Sequence, residues 1–306
     1  MLQKILVPLD GSKMAERALP WARAYAASTK AAVVLIEAVP KVYPLKGPAF
    51  GAQQKETSQY LESVARALLA EGIPSEIHLS ELAPAEAIVS AAVQESCGLI
   101  VMTTRGASKL VRRVIGGVTE QVLRCSRVPV LVIGGDSSVS MGLPPRQILV
   151  PQDGSLRSQR VLPWALRLAR FHGVPISIVH VERRAKARSQ GTSSSEAQVS
   201  RRLAHWCSLF RHRGVAATYL LCHGDPVSEI LRNTQPTDLL VLTTHGYGGL
   251  KHLVLGSVAE KVIHGTEAPV FVVRRASARA SGDVTSSPGN GAPRAAKGTR
   301  RSGRRS

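Results

Sequence analysis

Aromatic residues make up only 4% of this 306-residue chain. That leaves little material for stacking on unpaired bases, and no recognisable nucleic-acid reading motif accompanies it. Cysteine is equally scarce. Cys97, Cys125, Cys207 and Cys222 show no CxxC spacing, which argues for reduced thiols rather than a disulfide or metal framework. The nine histidines lack the HExxH spacing of a zinc site, so no protein-borne metal is expected. A GxSxG nucleophile elbow and a GxxxxGK[ST] phosphate loop are both missing. No uncharged apolar stretch approaches the ~18 residues needed to span a bilayer. The N-terminus is a short strand-like run ending in Pro8-Leu9-Asp10, not a signal peptide. A cytoplasmic protein with no membrane attachment is the expectation. Acidic residues are outnumbered, 21 against 40 basic ones, giving a net charge of +19. The excess is uneven: +3 over residues 1–145, +10 over 146–276 and +6 over 277–306.

What the chain does have is internal repetition. Lys4-Ile-Leu-Val-Pro-Leu-Asp-Gly-Ser12 returns as Gln147-Ile-Leu-Val-Pro-Gln-Asp-Gly-Ser155. Leu19-Pro-Trp-Ala22 returns as Leu162-Pro-Trp-Ala165. Thr103-Thr-Arg-Gly106, nine residues and Gly116-Gly117 return as Thr243-Thr-His-Gly246, nine residues and Gly256-Ser257. The offset is 143 residues at the aspartates and 140 at the last glycines. A repeat of that size is domain-sized, so the reading is two domains, residues 1–134 and 146–275, a linker at 135–145 and a tail at 276–306. The tail is Ser/Gly/Ala/Arg-rich with almost nothing apolar to bury and reads as disordered.

Each half alternates strand and helix. In the first, strands are expected at 4–9, 32–39, 75–79, 99–103 and 129–133. A helix runs to about residue 27, a Pro/Gly-rich loop covers 40–54, and further helices lie at 56–70 and 85–95. The second half repeats the strands near 147–151, 175–181, 216–222, 239–243 and 269–273, with a basic, Ser-rich loop at 183–200. Trp21 and Trp164, beside Pro20 and Pro163, read as core residues at helix kinks. The fold class is α/β: two tandem doubly wound domains, each a five-stranded parallel sheet with right-handed crossovers. The last strand of each half is an apolar edge that must be covered. Antiparallel pairing of 129–133 with 269–273 would do so and make an intramolecular pseudo-dimer.

These motifs resemble the universal stress proteins in their tandem form, over residues 3–275. The resemblance implies an adenine nucleotide alpha hydrolase-like fold and a site for ATP, with any magnesium arriving on the phosphates. In the second half it implies nucleotide contacts at Pro151, Asp153, Val181, Gly224, Thr243, Gly246, Gly256, Ser257 and Val258. Thr243 stands where the family pattern has Gly. In the first half it implies Pro8, Asp10, Val39, Gly106, Gly116 and Val118. That half departs further: Thr103 and Leu82 replace Gly, and Gly117 replaces Ser/Thr. The second site is therefore expected to be the fuller one.

The residues support a phosphate seat without the family name. Gly-Ser at a helix start offers free N–H groups and the positive end of the helix dipole. Arg105, Lys109, Arg112 and Arg113 flank the first loop, and His245, Lys251 and His252 the second. Each motif has a plainer reading: Ser257-Val-Ala-Glu260 is also a capping box, and Asp-Gly-Ser is also a turn. No residue supplies an obvious general base, so a stress-response sensor or regulator that binds adenine nucleotide is preferred. A slow ATPase or self-phosphorylating enzyme, and a nucleic-acid-associated protein using the basic tail, are the alternatives. A homodimer and a polyanion contact through the tail are left open.

Overall fold

The computed structural model describes residues 2–40, 48–104, 116–134, 143–182, 192–243 and 256–274. Gly106 and Gly246, the basic residues of both Gly-rich loops, most of the linker and the tail lie outside the described residues.

In the first half the strands are β1 (Lys4–Pro8), β2 (Ala32–Ala38), β3 (Ser75–Ser80), β4 (Leu99–Thr103) and β5 (Val130–Ile133). They alternate with helices α1 (Leu19–Thr29), α2 (Pro48–Ala70), α3 (Pro84–Gln94) and α4 (Gly117–Cys125). The second half gives β6 (Ile148–Pro151), β7 (Ile176–Glu182), β8 (Ala217–His223), β9 (Leu239–Thr243) and β10 (Val270–Val273). Its helices are α5 (Leu162–His172), α6 (Thr192–His212), α7 (Pro226–Arg232) and α8 (Ser257–Gly265).

All ten strands form one sheet in the order β3-β2-β1-β4-β5-β10-β9-β6-β7-β8. Every pairing within a half is parallel. The halves meet where β5 and β10 pair antiparallel, Val132 with Val270, Leu131 with Phe271 and Val130 with Val272. This is the edge-to-edge pairing expected from two apolar terminal strands. Gly134 leaves the seam against the Glu267 carbonyl; a Cβ there would lie 2.7 Å from that oxygen.

Apolar residues are continuous along the central strands because helices cover both faces. One core layer holds Ile5, Val7, Val33, Leu35, Leu131, Ile148, Val150 and Phe271, with side chains from α1, α2, α5 and α6. The other holds Leu6, Val34, Ile36, Ile100, Val130, Leu149 and Val270, with side chains from α3, α4, α7 and α8. Each layer draws on both halves, so packing is continuous across the seam.

Three local expectations are corrected. Pro20 and Pro163 sit in the first turn of α1 and α5, each after a short 3-10 turn (Ala15–Ala18 and Ser158–Val161). They open helices rather than kink them, because a first-turn proline lacks only an N–H that has no intrahelical partner. Residues 48–54, expected as loop, belong to α2. Residues 192–200, likewise expected as loop, belong to α6.

Candidate functional site

In each half the chain order reverses at one point in the sheet, between β1 and β4 and between β6 and β9. Loops leaving the carboxyl ends of those strands diverge and open a crevice. The Asp-Gly-Ser segments leave β1 and β6 there; Gly116 and Gly256 stand at the starts of α4 and α8, the helices next in the chain after β4 and β9.

The Asp-Gly-Ser segments are tight turns. Asp10 Oδ1 accepts hydrogen bonds from the Ser12 N–H (3.1 Å) and the Ser12 hydroxyl (2.5 Å). Asp153 Oδ1 accepts from the Ser155 N–H at 2.9 Å. Each serine hydroxyl then accepts an N–H of the following 3-10 turn, from Ala15 and Ser158 respectively, both at 3.1 Å. Gly11 and Gly154 take φ of 71° and 82°, the left-handed region where glycine is unstrained.

Helices α4 and α8 start at the other side of the crevice. Gly116 (φ −64°, ψ 146°) and Gly256 (φ −59°, ψ 136°) are their N-caps, and no side chain caps either. Ser257 is the first residue inside α8, so the capping-box reading of Ser257 to Glu260 is not what the structure adopts. With Gly256 as cap, the first-turn N–H groups receive no capping side chain. The Gly116 N–H donates to the Thr104 carbonyl at 2.7 Å. The Thr119 hydroxyl donates to the Thr103 carbonyl at 3.0 Å and so ties α4 to the end of β4. Val118 is exposed and Val258 half-buried.

One sequence alignment shifts and another holds in position only. Pro8 pairs with Ile36 and Pro151 with Val179. Counting on, Val181 matches Ala38 and Val39 matches Glu182, so Val39 and Val181 do not hold equivalent places. Val39 is buried and donates its N–H to the Ser80 carbonyl. Leu82 and Gly224 are equivalent in position but not in backbone. Gly224 has φ 151°, whereas Leu82 is 43% exposed and donates its N–H to Ser80 Oγ. After Gly224, Asp225 caps α7 by accepting the Ser228 N–H at 2.9 Å, which with the Ser228 hydroxyl lowers its pKa.

The chain matches the model of the universal stress protein family twice, over residues 1–134 and 145–274. It belongs to that family. Two universal stress proteins of Mycobacterium tuberculosis are 28% identical over 288 residues and 26% identical over 292. These alignments cover 88% and 89% of this chain and 96% and 97% of those relatives. Among solved structures, a universal stress protein from Archaeoglobus fulgidus superposes with a TM-score of 0.69 at 24% identity, covering 89% of this chain and 98% of that one. Among the described residues, no helix is long and apolar enough to cross a membrane, and no cluster of His, Cys, Asp and Glu is arranged for a metal ion.

Around this universal stress protein's crevices stand residues the motifs did not single out. Beside Asp10, Tyr60 of α2 donates its hydroxyl to Glu16 Oε1 (3.3 Å), and Lys13 holds Glu16 Oε2 (2.9 Å). Glu37, at the end of β2, has its pKa raised to about 7 by burial and by the charge of Asp10. Its Oε2 is buried and meets no donor among the described residues. Beside Asp153, a shallow hollow is lined by Gln152, Gly154, Gln159, His180, Arg202, Leu203 and Trp206. The Arg202 guanidinium lies so close over Gly154 that a Cβ there would be 2.5 Å from Nη2. His180 Nδ1 is 2.7 Å from the Gln152 carbonyl, and burial lowers its pKa. Aligning the two halves position by position, rather than motif by motif, is the signal that finds these residues.

Proposed function

We propose that this universal stress protein binds ATP or a related adenine nucleotide and acts as a nucleotide-dependent sensor or regulator. The observation that carries the reading is the uncapped start of α8 at the switch point that Asp153 also borders. Gly256, Ser257 and Val258 offer first-turn N–H groups and the positive helix end, a ready seat for phosphate. Gly256 also lets the backbone approach a ligand closely. Asp153 is a carboxylate acceptor at the neighbouring strand end, suited to ribose hydroxyls, and Val181 is the penultimate residue of the next strand over. Gly246, outside the described residues, would complete the loop. The first half presents Pro8, Asp10, Gly116 and Val118 in the same arrangement but with Gly117 in place of a hydroxyl donor. A divalent ion would arrive with the phosphates rather than on protein ligands.

The test is mass spectrometry of the natively purified protein, followed by calorimetry with ATP. Co-purified adenine nucleotide, or a binding isotherm that Gly256→Asp removes, is the expected result. A stripped protein that takes up no adenine nucleotide overturns the reading.

A further inference from the structure

The nucleoside ends of the two crevices differ in charge, and three equivalent positions make the difference. Glu37 and His180 each follow the residue paired with the proline that ends the first strand of its half. Glu16 and Gln159 are each the second residue of the 3-10 turn after Asp-Gly-Ser. Helices α2 and α6 end on the same turn: Ile73 donates to the Leu68 carbonyl and Val215 to the Phe210 carbonyl. Eight residues back from those carbonyls stand Tyr60 and Arg202.

The three positions of the first half converge on Asp10. The charges of Glu16, Glu37 and Asp10 all act on the Tyr60 hydroxyl, and that of Asp10 acts on Glu37. In the second half Gln159, His180 and Arg202 line one hollow beside Gly154, and the charges of Arg202, Glu182 and Asp153 act on His180. The first crevice thus gathers three carboxyl groups. The second holds two carboxylates, Asp153 and Glu182, with one guanidinium, one amide and an imidazole whose pKa burial lowers.

We propose that these positions set the ligand charge each half accepts: the second takes a polyphosphate nucleotide unaided, and the first takes one only when Glu37 carries a proton. The inference rests on the nucleotide reading above. Asp10 faces Glu37 from the turn after β1, Tyr60 from α2, and Glu16 through Tyr60. On the neighbouring strand its partner is the uncharged Leu79, with Glu81 two residues on. Among the described residues, Lys13 is the cation beside these groups, and it is held by Glu16. At this nucleoside end a polyanion therefore adds to the negative field of the described residues, and neutralising Glu37 relieves it. The proton comes from solvent, one per bound nucleotide. The titration of Glu37 near pH 7 places the change within the physiological range. By linkage, affinity of the first half should fall about tenfold between pH 6 and pH 8.

Calorimetry on the full chain tests this, with the second site closed by Gly256→Asp. ATP should bind about tenfold more tightly at pH 6 than at pH 8. At pH 8, titrations in two buffers of different ionisation heat should report one proton taken up. Relative to the parent, Glu37→Gln should take up about one proton fewer at pH 8 and lose about a tenfold difference in affinity between pH 6 and pH 8. The titration of ATP's own γ-phosphate is common to both proteins and cancels in the comparison. With the first site closed instead by Gly116→Asp, Arg202→Tyr should weaken ATP binding to the second half by about tenfold. A first half that binds equally at both pH values, a pH dependence that Glu37→Gln leaves undiminished, no binding by the first half at pH 6, or an Arg202→Tyr variant of unchanged affinity overturns this inference and leaves the nucleotide reading standing. Absence of ATP binding by either half of the unmodified protein overturns both.

Discussion

The hydroxyl of Tyr25 lies 2.9 Å from Nε2 of His172, joining α1 of the first half to α5 of the second. Phe171 stacks on the Tyr25 ring at 4.6 Å, and Trp21 meets the His172 ring edge-on. This aromatic cluster closes the seam on one face of the sheet. Burial lowers the His172 pKa to about 4, against about 6.5 for a free imidazole. The unfolded chain therefore binds this proton at higher pH than the folded one. Stability is full above pH 6.5 and falls as pH drops from 6.5 towards 4, by about 1–3 kcal/mol once partial exposure is allowed for. Glu37 acts in the opposite sense, because its raised pKa takes stability away as pH rises from 4.5 to 7. Urea unfolding at pH 7.5, 5.5 and 4.5 separates the two. His172→Gln should lose less stability on acidification than the unmodified protein, and an identical pH slope would show that His172 does not titrate as placed.

Val130 and Val270 are each 2% exposed and lie in the β5–β10 seam. Lysine at either position buries an unpaired charge in the continuous core and should cost more than about 4 kcal/mol, seen as insoluble protein or as unfolding at much lower urea. The contrasting site is Ile77 on the outer strand β3, which is 37% exposed. Ile77→Lys should stay soluble, with a change within about 0.5 kcal/mol.

Gly256→Asp should separate binding from folding. The N-cap backbone of Gly256 is one that aspartate favours, and a carboxylate there stabilises the helix start by a few tenths of a kcal/mol. The same carboxylate occupies the phosphate seat with the wrong charge. Thermal unfolding should be unchanged or slightly raised while most ATP binding disappears from calorimetry. Gly116→Asp should cost less binding at pH 8; the reverse ranking would make the first half the principal site.

Asp238 is fully buried and gathers four donors at the start of β9: Arg146 Nε at 2.8 Å, Arg146 Nη2 at 3.0 Å, Gln147 Nε2 at 3.3 Å and the Gln235 N–H at 2.9 Å. The pair fastens the chain entering the second half to the strand beside it and raises the Arg146 pKa. Asp238→Ala should cost about 2–3 kcal/mol, because it leaves donors without their acceptor. Asp238→Asn should recover part of that loss. Urea midpoints of the two variants check the order.

The strands β4 and β9 were readable to the residue, because short apolar runs bounded by turn residues have little freedom in a sheet covered on both faces. The starts of α2 and α6 were not. Proline and clustered serines signal a loop in isolation, yet proline is tolerated in a first helical turn, and tertiary packing of residues such as Leu61 and Leu203 carries each helix. The crevice was legible where it is local: Asp10-Gly-Ser and Asp153-Gly-Ser form the expected turns. It was illegible where a strand, a 3-10 turn and a distant helix meet, as at Glu37, Glu16 and Tyr60. The mismatch of Val39 with Val181 arose because only strand register reveals which residue is equivalent to which.

The antiparallel join of β5 to β10 has a further consequence. A dimer of two identical chains keeps the same residue at both copies of every position, and it comes apart on dilution. Here the two-fold relationship lies within one covalent chain, held at its centre by three residue pairs. A change at Glu37 leaves His180 untouched, so each crevice is free to drift towards its own ligand. The two remain in a fixed one-to-one ratio at any protein concentration, so a difference between them cannot be lost by exchange of partners.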